Sequence, residues 1–226
     1  MELDAVFNEA EALWFSGDRA RAEPLLRYLA KLGHAHAASL LGQLCAEAGR
    51  RAEAIGWYRI AADQGWDTAR VNLALLIGDT DRDEAVRLTR EAAADGSVEA
   101  WHNLGIFLVE DGLLAEAEGC FRRAAGGIYP AARHRLAELL EATGRRVEAE
   151  AWYRRTIEDH GGYLDDREDA FYPVFTTVMT NLAGLLEATG RLGEALRWHR
   201  AAAARGGAES GAEADRLSRE IGSAEV

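Results

Sequence analysis

Residues 97–128 read SVEAWHNLGIFLVEDGLLAEAEGCFRRAAGGI, and this stretch predicts two amphipathic helices joined by a turn. Apolar residues recur at steps of three and four in both halves, the spacing that puts side chains on one face of a helix. Trp101, Leu104 and Leu108 share a face in the first half, and Ala117 and Phe121 share one in the second. The stretch is therefore predicted to be one helical hairpin.

The hairpin recurs along the chain with a period of about 32 residues, which is typical of a repeat protein. Turn glycines stand in two pairs that are each 32 residues apart: Gly17 with Gly49, and Gly112 with Gly144. The polar octapeptide GDTDRDEA at residues 78–85 supplies the turn expected between those pairs. Glycines that close the second helices follow nearly the same interval, at Gly33, Gly65 and Gly96.

A leucine followed by a small residue marks the first helix of each full repeat. These pairs are Leu41-Gly42, Leu73-Ala74, Leu104-Gly105, Leu136-Ala137 and Leu182-Ala183. A small side chain lets the partner helix approach closely, whereas a bulky one would push the two helices apart. The two helices of each hairpin are therefore predicted to lie closest together at this point.

The repeat resembles two related families. The residues that match the tetratricopeptide repeat pattern are Trp101, Leu104, Gly105, Leu108, Gly112, Ala117, Phe121 and Ala124. The segments AIGWYRIAADQGWDTA, residues 54–69, and CFRRAAGGIYPAA, residues 120–132, resemble Sel-like repeats, in which the second helix ends in Ala-Ala-x-x-Gly. The resemblance covers roughly residues 3–206 and implies a fold of stacked helix pairs.

We therefore predict a single all-α domain over residues 1–226, a right-handed α-solenoid of about six helix-turn-helix repeats. The repeats are predicted at residues 3–33, 34–65, 66–96, 97–128, 129–160 and 173–206. Residues 208–221 are predicted to form a polar capping helix over the last repeat.

An insertion at residues 161–172 breaks the period. Gly144 and Gly190 are 46 residues apart, so this interval is longer than the others. Four aromatic residues cluster in and beside the insertion, at Tyr163, Phe171, Tyr172 and Phe175. Exposed aromatic residues at this density often mark a contact surface. Two interpretations have equal weight: the segment packs onto the repeats, or it contacts a ligand.

Composition and charge restrict the class of partner. The net charge is −12 without a dense run of Lys or Arg, and an acidic chain repels phosphate backbones, so nucleic acid is not expected as a partner. The N-terminal stretch lacks the basic residues of a secretion signal, and no stretch approaches the roughly 18 apolar residues that span a bilayer. Cys45 and Cys120 fall on apolar stripes and are predicted to act as small hydrophobic residues. These features predict a cytoplasmic protein without membrane contact.

The sequence offers no catalytic arrangement, so we predict a protein that is not an enzyme and that has neither cofactor nor metal. Asp79, Asp81 and Asp83 begin like a calcium loop, but Glu84 and Arg90 stand where that loop needs glycine and glutamate. The aspartates are better interpreted as a turn that caps the next helix.

Two further groups of polar residues have simple interpretations. His34 and His36 stand at a helix start and are predicted to face solvent. Glu/Arg pairs such as Glu148 with Arg154 and Arg155 are interpreted as ordinary surface charge.

The first helices of a solenoid line a concave groove that suits peptides or partner helices. The tetratricopeptide register implies these groove residues: His36, Ser39, Gln43, Glu47, Asn72, Glu99, His102, Asn103, Ile106, Glu110, His134, Glu138, Glu141, Thr180, Asn181 and Glu187. Asn72, Asn103 and Asn181 are equivalent positions, where an amide either binds an extended peptide or hydrogen-bonds a neighbouring helix.

The acidic character of the groove candidates indicates the kind of partner. Six glutamates stand among them with few cations, and complementary charge favours a basic or mixed basic–apolar segment. We therefore predict a scaffold that binds a protein or peptide and that could also form homo-oligomers. Two alternatives stay open: a regulatory sensor of a small molecule or signalling peptide, and an accessory or diverged catalytic subunit of an enzyme complex.

Overall fold

The computed structural model describes residues 3–127, 129–159 and 172–224, and these ranges contain thirteen α-helices and no strand. The helices are α1 (Leu3–Phe15), α2 (Arg19–Lys31), α3 (Ala35–Glu47), α4 (Arg51–Ala62), α5 (Asp67–Ile77), α6 (Arg82–Ala94), α7 (Val98–Glu110), α8 (Leu114–Ala125), α9 (Pro130–Ala142), α10 (Arg146–Glu158), α11 (Tyr172–Ala188), α12 (Leu192–Ala204) and α13 (Ala208–Ala224). The predicted all-α solenoid is confirmed.

The chain forms two compact units, residues 1–107 and residues 108–226. In the first unit each helix from α1 to α5 packs against the next one along the chain. In the second unit the same holds from α8 to α12, and the first helices α9 and α11 also contact each other. Each unit is thus a row of antiparallel helix pairs, and α13 packs against α12 at the end of the second row.

Glycines with positive φ end the helices, as their spacing predicts. They are Gly17, Gly33, Gly49, Gly65, Gly96, Gly112, Gly144, Gly190 and Gly206. Residues with a Cβ rarely adopt this left-handed conformation, whereas glycine adopts it readily. The regularly spaced glycines of the sequence therefore mark the ends of helices in the structure.

The close approach of paired helices is clearest at Gly42 of α3. A Cβ atom added there would lie 2.7 Å from Cδ1 of Tyr58 in α4, and that ring is buried. The corresponding Ala74, Ala137 and Ala183 are completely buried. The predicted role of the small residue after leucine is confirmed at these positions.

Ion pairs connect the second helices of neighbouring repeats. In the first unit, Arg50 contacts Glu23 of α2 at 2.8 Å and Glu53 of α4 at 3.2 Å. Arg27 of α2 contacts the same two carboxylates, at 2.7 and 3.3 Å. Two glutamates and two arginines thus form one closed network between α2 and α4.

The same four-membered network occurs twice in the second unit, between α8 and α10 and between α10 and α12. Its members are Glu118, Arg122, Arg145 and Glu148 in one copy, and Glu150, Arg154, Arg191 and Glu194 in the other. The carboxylate of Glu148 pairs with Arg145 and Arg122, so the partners expected from the sequence, Arg154 and Arg155, were wrong.

Candidate functional site

Two groove candidates of α3, Gln43 and Glu47, lie at the surface, and a third, His36, lies in a stack of aromatic rings. Gln43 donates to Glu47 at 2.9 Å, and both side chains are exposed. The His36 ring is half-buried, stacked on Trp66 with centroids 4.7 Å apart and tilted against Phe7 at 5.0 Å. Burial lowers the pKa of His36, so the neutral ring is favoured.

His34 also departs from its predicted exposure to solvent. Its ring stacks on Phe7 with centroids 4.4 Å apart, and its Nδ1 accepts from the backbone N–H of Ala37 at 3.2 Å. The residue is thus the N-cap of α3 and is half-buried. The prediction that both histidines face solvent was wrong, because aromatic residues of α1 and of the α4–α5 turn cover them.

Several groove candidates of the first unit lie inside the protein. Ser39, His102 and Asn103 are buried, whereas Asn72 and Ile106 are half-buried and Glu99 is exposed. Asn72 hydrogen-bonds Tyr58, whose pKa burial raises to about 12. The next repeat has Thr89 at the position equivalent to Tyr58, so it has no phenol there. Among the described residues, Nδ2 of Asn103 has no hydrogen-bond partner.

In the second unit the structure brings three groove candidates together. Nδ2 of Asn181 in α11 lies 3.0 Å from Nε2 of His134 in α9, and 3.4 Å from Oε1 of Glu138. An amide nitrogen only donates, so the imidazole accepts and is neutral. Burial lowers the pKa of His134 in agreement with this, although Glu138 opposes the shift. Asn181 therefore makes the hydrogen bond to a neighbouring helix that was one of its two interpretations.

A buried tyrosine of α10 contacts the cluster formed by Asn181, His134 and Glu138. Tyr153 of α10 is fully buried and donates to Oε2 of Glu141 at 3.2 Å. Asn181 hydrogen-bonds the same hydroxyl, as Asn72 does with Tyr58 in the first unit. Burial raises the pKa of Tyr153 well above its usual range. The tyrosine–asparagine contact is thus a repeated feature between a second helix and the following first helix.

An open pocket of about 540 Å³ lies among α11, α12 and α13. It is lined by Thr180, Gly184, Glu187, Ala188, His199, Glu213 and Arg216. Thr180 and Glu187 were groove candidates, whereas the charged residues of α13 and the imidazole of α12 were missed. His199 stands at the second-helix position that Tyr58 and Tyr153 occupy in other repeats. This alignment could have identified His199 from the sequence.

Only two of the four aromatic candidates in and beside the insertion belong to the part of the chain that the structure describes. Tyr163 and Phe171 lie outside the described residues, and Tyr172 is the first residue of α11. Phe175 is completely buried within the second unit. Glu110, the remaining groove candidate, is exposed in the last turn of α7.

Within residues 3–127, 129–159 and 172–224, no group of three His, Cys, Asp or Glu residues is placed to hold a metal ion. Asp81 accepts from the backbone N–H of Glu84 at 3.1 Å, which confirms the predicted cap of α6. Cys45 and Cys120 are buried, and burial together with Glu53 raises the pKa of the Cys45 thiol to about 11. In the same ranges no helix is both long and apolar enough to cross a membrane.

Family models identify the repeat by sequence. Three tetratricopeptide repeat models match, over residues 7–69, 130–155 and 176–213. A search of curated proteins found no match.

Solved structures share the fold at low identity. The antigen c5321 of uropathogenic Escherichia coli, described as displaying an SLR fold, is 21% identical over 88% of this chain, with a TM-score of 0.70. This chain spans 44% of that protein. PilF of Pseudomonas aeruginosa is 20% identical, with a TM-score of 0.68 over 84% of this chain and 86% of its own. PilW, a type IV pilus biogenesis factor, is 17% identical, with a TM-score of 0.68 over 88% and 90%.

The fold and the recurrent helix pairs define an α-helical repeat protein. The family matches identify its repeats as tetratricopeptide repeats, and the chain shares the fold of the SLR-fold neighbour. This fold is typically that of a non-catalytic scaffold for protein interactions.

Proposed function

We propose that the protein is a scaffold that binds a basic or mixed basic–apolar protein segment on the face formed by its first helices. The contact between α9 and α11 carries this proposal, since Asn181 of α11 hydrogen-bonds both the buried His134 and the half-buried Glu138 of α9. First helices that touch in this way offer a continuous surface to an extended chain.

The charge of this surface favours a cationic partner over nucleic acid. Glu138, Glu141 and Glu187 are half-buried on α9 and α11, and Arg135 pairs with Glu138 at 3.1 Å. Carboxylates therefore outnumber guanidinium groups on these helices, so a basic segment is attracted and a phosphate backbone is repelled.

Fluorescence anisotropy with labelled peptides tests the proposal. Peptides that alternate arginine with leucine should bind more tightly than peptides with glutamate in place of arginine. Glu138→Lys combined with Glu141→Lys should weaken the basic peptide by about tenfold or more, since about 1.4 kcal/mol corresponds to a factor of ten. No preference for the basic peptide would refute the proposal.

A matched control separates the site from net charge. Asp83→Lys combined with Glu158→Lys changes the charge equally at two exposed residues of second helices. This control should bind like the wild type. Equal weakening in both variants would show that only overall charge matters, and would exclude the first-helix face as the site.

A further inference from the structure

The pocket among α11, α12 and α13 is acidic and already holds one guanidinium group. Arg216 of α13 contacts Oε2 of Glu213 at 2.6 Å and also pairs with Oε1 of Glu187 on α11. Each carboxylate uses one oxygen in these contacts, so its second oxygen keeps lone pairs for another donor. Two carboxylates against one guanidinium leave the lining with excess negative charge.

A buried imidazole in the lining gives independent evidence for a ligand. His199 of α12 is 4% exposed, and its Nδ1 has no hydrogen-bond partner among the described residues. Buried polar atoms are nearly always hydrogen-bonded, so an orphaned nitrogen in the lining of an open pocket is unusual. His199 is one of the residues that line the pocket, so a ligand bound there would lie beside this ring.

The shape of the pocket depends on a glycine within a helix. Gly184 lies in the middle of α11, and an added Cβ would meet no atom within 4 Å. Glycine is unfavourable in a helix interior, so packing within the chain does not account for it here. Its lack of a side chain leaves the space that the pocket occupies.

We propose that this pocket receives the cationic side chain, arginine or lysine, of a protein partner. The carboxylates of Glu187 and Glu213 hold the charge, and the Thr180 hydroxyl and His199 imidazole lie beside it. The proposal rests on the proposed function and specifies it, because it assigns one position of the bound segment to one pocket.

NMR titration of the isotope-labelled full chain with small probes tests the pocket without a natural partner. N-acetyl-arginine methylamide and N-acetyl-lysine methylamide represent the two cations, and N-acetyl-citrulline methylamide is the neutral control. A saturable shift of the Gly184 amide and the His199 ring with either cation, and none with citrulline, is expected. No shift with either cation, or an equal shift with citrulline, would overturn the proposal.

Gly184→Leu fills the pocket without changing any charge and should weaken the cationic probe roughly tenfold or more. Gly56→Leu is the matched control, because Gly56 also lies inside a helix with no atom within 4 Å of an added Cβ. Glu213→Gln offers a second variant that keeps the side-chain shape and should also weaken binding. Unchanged probe affinity in Gly184→Leu and Glu213→Gln would contradict the assignment.

The probes also separate this inference from the proposed function. Shifts at the pocket without peptide binding to the Glu138 and Glu141 surface would refute the proposed function alone. Peptide binding that Glu138→Lys with Glu141→Lys weakens, without shifts from either cation, would refute the pocket alone.

Discussion

At the scale of single residues, substituting two helical glycines of the first unit should change the stability of the protein in opposite directions. Gly42 of α3 faces the buried ring of Tyr58, whereas Gly56 of α4 is exposed and has no atom near an added Cβ. The same substitution by alanine therefore tests packing at one site and helix propensity at the other.

Gly42→Ala should lower the free energy of unfolding by about 1–3 kcal/mol, because the methyl group would force the Tyr58 ring out of place. Gly56→Ala should raise it by roughly 0.5–1 kcal/mol, since alanine is the better helix former. Urea denaturation of the two variants and the wild type measures both effects. A Gly42→Ala protein as stable as the Gly56→Ala protein would show that the helices do not approach as described.

At the scale of helices, the ion-pair networks link second helices that the hydrophobic core connects only indirectly. Glu118 pairs with two arginines of its network, because Arg122 and Arg145 share its Oε1 atom. These arginines lower the pKa of Glu118 despite the opposing effect of burial. The negative charge of this residue therefore stabilises the fold.

Glu118→Gln should lower the urea midpoint by a few tenths of a molar, and the difference should shrink in concentrated salt because exposed charges are screened. Glu158→Gln is the control, since it neutralises an exposed glutamate of α10. Both variants are compared in low and high salt. An effect of Glu118→Gln that persists in concentrated salt would indicate lost packing rather than lost charge.

What the sequence could predict about these helices was local. The turn glycines and the pairs of leucine with a small residue recur at regular spacings in the sequence. The helix ends and the close approach of paired helices could therefore be predicted from the repeat period. Arg145 and Glu118 are 27 residues apart, and Asn181 and His134 are 47 apart across the insertion. Such contacts depend on how far each helix rotates about its axis, which periodicity fixes only coarsely. The networks and the α11–α13 pocket were missed for that reason.

At the scale of the whole molecule, stability should depend on pH through buried and half-buried histidines in both units. Burial lowers the pKa of His36, His134 and His199. A base with a lowered folded-state pKa stabilises the protein above its unfolded pKa of about 6.5, and this contribution is lost as pH falls through the folded value. Glu23, Glu118 and Glu150 have lowered pKa values too, so they add a second loss below about pH 4.5.

The free energy of unfolding should therefore be constant between about pH 7 and pH 8 and fall as pH decreases below about 6.5, because the unfolded chain takes up protons that the folded chain excludes. Urea denaturation at a series of pH values measures the slope. His134→Gln removes one titrating ring while its amide can still bond Asn181, so the slope between pH 7 and pH 5.5 should be shallower in this variant, with ~1 histidine fewer contributing. A slope equal to that of the wild type would mean that His134 titrates alike in both states, and that the imidazole between α9 and α11 is not held neutral by the fold.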